Sequence, residues 1–279
     1  MTERPTLPEP DQIVADLPTD EQAYFLPLGD GRYQPTLHIQ GAWRPWEHHL
    51  APVVGLVTHE LMRHEPREDM QLSRLTVEAY GVMPAMPSTI EVRTVRPGRT
   101  IELLEATMTI GDRVVVRAHA WRIQVVDTAE VAGQEIERLP EPESLPEWDG
   151  MHVWSGGFIN SLDFKEIDGH GPGRGRAWLR TDLPLVKGQE VSPIAAAMGL
   201  SDTANGIGPR KDPREWMFPN VEISIHIWRQ PVPGWVGLDG QVAWGPTGAG
   251  LTSTWMHDAQ GAFARIEQSL TVRPMPEAL

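Results

Sequence analysis

The chain has 279 residues, 40% of them hydrophobic, with a formal net charge of −14 and no cysteine. That length allows one large domain or two ordinary ones, each with a real core. The charge argues against bulk nucleic-acid binding, and the lack of thiols excludes disulfides, thiolate metal sites and a cysteine nucleophile.

No run approaches the length of a membrane span, and the opening Met-Thr-Glu-Arg-Pro-Thr lacks the apolar centre of a signal peptide. A cytoplasmic location is the expectation, with a mobile Pro-rich lead. Strands are expected over 23–28 and 32–40, then a helix over 52–64. Three β-rich runs follow, at 72–80, 89–95 and 100–110. The last turns at Gly111-Asp112 into 113–126, a hairpin by its turn and β-branched residues. Residues 127–150 are rich in Pro and Glu and read as a solvated linker.

The second half repeats this order. Strands are expected over 152–164 and 175–181, a helix over 192–206, then runs at 221–229, 235–244 and 250–257, the last turning at Ala259-Gln260-Gly261 into 262–272. The halves align at an offset of 147 to 148 residues, which sets Arg113 to Ala120 on Gly261 to Gln268 and Val54-Gly55-Leu56 on Ser201-Asp202-Thr203. The division is residues 1–126, linker 127–150 and residues 151–279. The class is α+β, with a long central helix wrapped by a curved antiparallel sheet, used twice.

The second helix is the chemically informative one. Ser192 suits the N-cap, Pro193 the first helical position and Gly206 the stop. The residues between are mostly small or apolar, so the helix should be buried, yet it carries Asp202. An acid there either finds a partner or has a raised pKa, unless it reaches solvent or caps the next loop. Met198, Asp202 and Asn205 share one side. Asn205 could orient Asp202 or a ligand, or simply form an Asn-Gly stop.

The final strand gives the second clue. Ala262, Ala264, Ile266, Gln268, Leu270 and Val272 share one face, and Gln268 is the polar exception. A buried Gln needs partners, either backbone at a bulge or a polar group on the facing helix. On 221–229, Val221, Ile223, Ile225 and Ile227 point one way, and Asn220, Glu222, Ser224 and His226 the other. An Asp that takes a proton from water, beside an amide that positions that water, fits acyl hydrolysis without a covalent intermediate. No Gly-x-Ser-x-Gly elbow is present. His59 and His64 stand at i and i+5, the wrong spacing for a helical zinc pair. His48-His49 reads as a packed segment leading into the first helix, and Gly171 to Arg176 as a hairpin connection rather than a phosphate loop.

Several pieces in this order resemble the double-hotdog acyl-CoA thioesterases of the acyl-CoA thioesterase II and thioesterase-like group. They are Leu72-Ser-Arg-Leu-Thr-Val77, Val95 to Ile101, Trp178-Leu-Arg180, Pro184-Leu-Val186, Ser192-Pro193, Ser201-Asp-Thr-Ala-Asn-Gly206 and Gln268-Ser-Leu270. The resemblance implies two tandem hotdog units and a cytoplasmic enzyme of fatty acid metabolism acting on an acyl-CoA. Asp202 and Gln268 fall on the family's catalytic positions. The family's third residue, a Thr near the start of the strand after the helix, is absent. Asn220 is the residue available to replace it, with Asn205 as a second assistant. Gly55 stands where Asp202 falls in the other half, so one site of two is armed. Neither metal nor redox cofactor is implied, and a homo-oligomer is compatible. The alternatives are a non-catalytic acyl-CoA or lipid-binding protein on the same fold, and a hydratase. A hydratase would require a His that does not follow Asp202 before His226.

Overall fold

The computed structural model describes residues 7–276. Its first half comprises α1 (Pro10–Ala15), β1 (Phe25–Gly29), β2 (Arg32–Pro35), α2 (Leu50–Arg63), β3 (Met70–Ala79), β4 (Ser88–Arg96), β5 (Ile101–Ile110) and β6 (Arg113–Gln124). The second comprises α3 (Gly157–Asn160), β7 (Asp163–Glu166), β8 (Arg174–Arg180), α4 (Pro193–Met198), a 3-10 turn (Ser201–Asn205), β9 (Trp216–Met217), β10 (Glu222–Ile227), β11 (Val236–Trp244), β12 (Ala249–Asp258), β13 (Gly261–Thr271) and β14 (Arg273–Pro274).

Twelve strands form one antiparallel sheet in the order β1-β2-β4-β5-β6-β3-β10-β13-β12-β11-β8-β7. The two halves meet where β3 pairs with β10. There Thr76 lies opposite Ser224, and the pairs Arg74–His226 and Glu78–Glu222 flank it symmetrically. Thr76 and Ser224 are 148 residues apart, the offset read from the sequence for the strands. A pseudo-two-fold axis therefore passes between them.

The helices obey a different offset. α2 begins at the N-cap His49, whose Nδ1 accepts from the Ala51 N–H at 3.1 Å. It ends where Glu65 turns left-handed at φ 41° ahead of Pro66. Eleven of its fourteen residues are buried. α4 begins at Ser192, whose Oγ accepts from Ala195 N–H at 3.4 Å, with Pro193 at the first helical position. The helices touch at Gly55 and Gly199, where a Cβ on Gly55 would stand 2.7 Å from Gly199 Cα. Those glycines are 144 residues apart. Asp202 therefore corresponds to Thr58 and not to Gly55, because the helix-to-strand connections differ in length between the halves.

Four further expectations change. The second helix is not continuous over 192–206. It is α-helical over Pro193–Met198 and resumes as a 3-10 turn at Ser201–Asn205. Gly199, Ser201, Thr203 and Asn205 are poor helix formers, and the tighter 3-10 turn closes on Leu200 O and Thr203 O. The strand expected over 152–164 is a 3-10 turn (Gly150–Val153), α3 and then β7. The lead, apart from residues outside the described range, is ordered as α1, with Ile13 and Leu17 buried in the core. In the segment read as a solvated linker, Leu139 packs on Ile167 and Trp178, and Trp178 Nε1 donates to Pro140 O at 2.8 Å. Among the described residues no helix is long and apolar enough to cross a membrane.

Candidate active site

Asp202 sits on the 3-10 turn and is 8% exposed. Gln268 on β13 is fully buried, as alternation with Ile266 and Leu270 requires. Its Nε2 donates to Asp202 Oδ1 at 2.7 Å. Asn220 Nδ2 donates to the same oxygen at 2.9 Å. Two amides thus hold one carboxylate oxygen, leaving Oδ2 outside these bonds. The Oε1 of Gln268 is a buried acceptor with no partner among the described residues. Amide orientation here follows from the carboxylate, which can only accept when ionised.

Burial pushes the Asp202 pKa up to about 7, while the bonds from Asn220 and Gln268 pull it the other way. Desolvation wins because both partners are neutral amides and no cation compensates the charge. His49 does not supply one. Its Nδ1 lies 3.6 Å from Asp202 Oδ2, but that nitrogen accepts from Ala51 N–H, which places the ring proton on Nε2. Burial also drives the His49 pKa down to about 3. The pair is a neutral ring edge against a carboxylate, not an ion pair.

Asn220 contradicts the face assigned to it by simple alternation. It turns inward and Val221 is 43% exposed, because β10 starts only at Glu222. Val221 instead bridges the halves: its N–H donates to Ser269 O and its carbonyl accepts from Ala79 N–H. The local break swings Asn220 towards Asp202. Asn205 does not reach Asp202. Its Nδ2 donates to Phe218 O at 3.0 Å and its Oδ1 accepts from Thr252 Oγ1 at 3.1 Å. It ties the 3-10 turn to β12 and to the segment leading into Asn220, so it positions rather than assists directly.

Asp202, Asn205, Asn220 and His49 line a cavity of about 350 Å³, while Gln268 lies behind Asp202 and is not part of its wall. Its walls come from both halves: Trp43, His49 and Met83 from the first, Asp202, Asn220 and Trp154 from the second. Trp43 packs edge-on to Trp154 at 5.1 Å and to Phe218 at 5.3 Å. Trp154 Nε1 donates to Gly206 O at 3.0 Å. The first-half contribution has no signal in the second-half sequence pattern. Its available hint was the polar His49 at the start of an otherwise apolar helix. Among the described residues no group of three or more metal-ligating side chains converges.

The pseudo-symmetric counterparts of Asp202, Asn220 and Gln268 are Thr58, Leu72 and Ala120, all buried. Thr58 Oγ1 donates to Val54 O at 2.7 Å. The first half therefore lacks both acid and amides, and one site of two is equipped.

Residues 39–123 match the acyl-CoA thioesterase N-terminal domain family, and residues 135–272 the acyl-CoA thioesterase C-terminal domain family. No curated protein sequence matches significantly. Among solved structures, the chain is similar to a hot dog fold protein of unknown function from Alicyclobacillus acidocaldarius, with a TM-score of 0.72 and 18% identity over 91% of this chain and 97% of that one. It is similar to the TesB protein of Mycobacterium avium subsp. paratuberculosis (TM-score 0.66, 15% identity, 95% and 100% covered). It is also similar to the acyl-CoA thioesterase II TesB2 of Mycobacterium marinum (TM-score 0.65, 15% identity, 97% and 100% covered). The fold is thus two tandem hotdog units. The chain belongs to the acyl-CoA thioesterase family, whose two domains it carries in tandem, and is by class a thioester hydrolase.

Proposed function

We propose that the chain hydrolyses acyl-CoA through a water activated by Asp202, without a covalent intermediate. The observation that carries this reading is a buried carboxylate, raised to about 7, held at one oxygen by Gln268 and Asn220 at the wall of a cavity. A base is most effective when its pKa lies near the working pH. The free Oδ2 takes one proton of the water, and the unpartnered Gln268 Oε1 accepts a hydrogen bond from the O–H that the water keeps. The water oxygen then attacks the thioester carbon. The tetrahedral intermediate collapses with cleavage of the C–S bond, and the proton held by Asp202 passes to the departing thiolate. The products are the free acid and CoA.

Asn220 serves in this scheme where the family has a Thr, as a neutral donor to Asp202 Oδ1. His49 is excluded as the base, since its Nδ1 is engaged and its basicity is suppressed. The proposed step calls on no metal or redox group. The same reading places the activity in the cytoplasm and in fatty acid metabolism, and self-association is compatible with it. A non-catalytic acyl-CoA or lipid-binding protein is the second reading, favoured by the replacement of the Thr. An acyl-CoA panel of graded chain length, read by thiol release, separates the two. Release above buffer supports hydrolysis, and tight binding without release supports the second reading.

A further inference from the structure

We infer that Arg273 is the phosphate-binding residue of this cavity and holds the nucleotide end of CoA, an inference that rests on the acyl-CoA reading above. A chain of net charge −14 repels a polyanionic ligand in bulk, so binding one needs a local cation. The cavity lining offers two, Arg44 and Arg273. Arg44 is already neutralised: its Nη1 lies 2.6 Å from Glu47 Oε1 and its guanidinium stacks over Trp46 at 5.4 Å.

Arg273 differs in every respect. It is exposed and has no carboxylate within ion-pair distance among the described residues. Its Nη1 donates to Thr271 Oγ1 at 3.0 Å and its Nη2 to Met217 Sδ at 3.3 Å. A guanidinium has five N–H donors, and a thioether is a weak acceptor, so most of its capacity is unspent. The residue is nevertheless fixed. After Thr271 the chain leaves the main sheet, and Arg273 pairs with Met217 in the small β9–β14 sheet at the cavity rim.

The spacing fits the ligand. Arg273 follows Gln268 by five positions along nearly extended chain, roughly 16 Å at the usual strand rise. The pantetheine arm that separates a thioester from the CoA pyrophosphate is an extended chain of comparable length. With the thioester at Asp202, which lines the cavity together with Arg273, the arm would cross the cavity and deliver phosphate to Arg273.

The test compares two non-hydrolysable thioethers carrying the same acyl mimic, one on full CoA and one on pantetheine, by equilibrium binding to the full chain. Arg273→Gln should weaken the CoA thioether about tenfold and flatten its salt dependence. It should leave the pantetheine thioether unchanged, and Arg273→Lys should recover part of the loss because the charge is kept. Equal weakening of both ligands, or of neither, overturns the inference, as does failure of the wild type to prefer the CoA thioether. Thiol release from acyl-CoA, measured alongside, keeps the two claims apart. A wild type that binds both thioethers but never turns over refutes hydrolysis while leaving Arg273 tested. A wild type that turns over with an Arg273→Gln variant of unchanged affinity refutes only this inference.

Discussion

Gln268 Nε2 donates to Asp202 Oδ1 at 2.7 Å, joining a strand to a helical turn across 66 residues of sequence. Each residue is polar on an otherwise apolar face, and the bond gives each a partner there. Their bond leaves Asp202 Oδ2 and Gln268 Oε1 as acceptors outside it.

Asp202 should make the protein less stable as pH rises. Its folded pKa of about 7 lies above the ordinary carboxylate value of 3.8, so the native state binds more protons than the unfolded state between these values. Stability is therefore lost as pH climbs from about 4 to 7 and levels off above. Asp202→Asn removes the titration. Urea unfolding at pH 4.5 and pH 8 should show the variant gaining on the wild type at the higher pH, by at most about 4 kcal/mol. A gap independent of pH would mean that the carboxylate is not raised.

A second carboxylate beside the first should shift the pH–rate profile. Gln268→Glu is nearly isosteric but places a like charge against Asp202. Two acids sharing a site cannot both ionise easily, so the pair's upper apparent pKa rises above that of Asp202 alone. The rising limb of kcat/KM should move alkaline relative to the wild type. An unmoved limb would detach Gln268 from the reacting centre.

Asn220→Thr should retain turnover within about tenfold, because a hydroxyl can replace the amide donor to Asp202 Oδ1. Asn220→Leu removes a donor to a charged acceptor, an interaction worth roughly 1.5–3 kcal/mol. It should raise the Asp202 pKa and lower kcat at pH 7. Equal activity of both variants would show that Asn220 is only a packing residue.

Gly55→Ala should destabilise the chain although Ala is the better helix former by about 1 kcal/mol. The new Cβ would lie 2.7 Å from Gly199 Cα and 3.0 Å from Gly199 N, backbone that cannot rotate away. Overpacking of this kind costs about 1–3 kcal/mol. Gly199→Ala should cost less, since its Cβ would meet Gly55 Cα only at 3.7 Å, with Ala196 O at 3.2 Å as its tightest neighbour. Chemical denaturation of the two variants checks the order.

Sequence pattern alone exposes the long β-rich runs of both halves and their offset of 147 to 148 residues, because strand alternation and turn residues are local signals, but it misreads 152–164, where only Asp163–Glu166 is a strand. It also exposes Asp202 and Gln268, since a polar residue on an apolar face violates that alternation. The helix register is hidden, because the offset changes between helix and sheet and is fixed only by the contact of Gly55 with Gly199. Asn220 is misassigned because a strand that breaks at Val221 reverses every face before it. Asn205 looks like a partner of Asp202 by spacing, yet its amide is taken by Phe218 O and Thr252, contacts across long separations. His49, Trp43 and Met83 reach the site from the other half, and the polar His49 at the start of an apolar helix is the one local hint of that.

The central claim is that Asp202 is the base in acyl-CoA hydrolysis. Steady-state thiol release by wild type and Asp202→Asn, with the affinity of an acyl-CoA thioether measured on both, tests it most directly. The amide is nearly isosteric, so affinity should persist while kcat falls about 10²–10⁴-fold. Wild-type turnover left unchanged by Asp202→Asn would contradict the account and place the base elsewhere in the cavity.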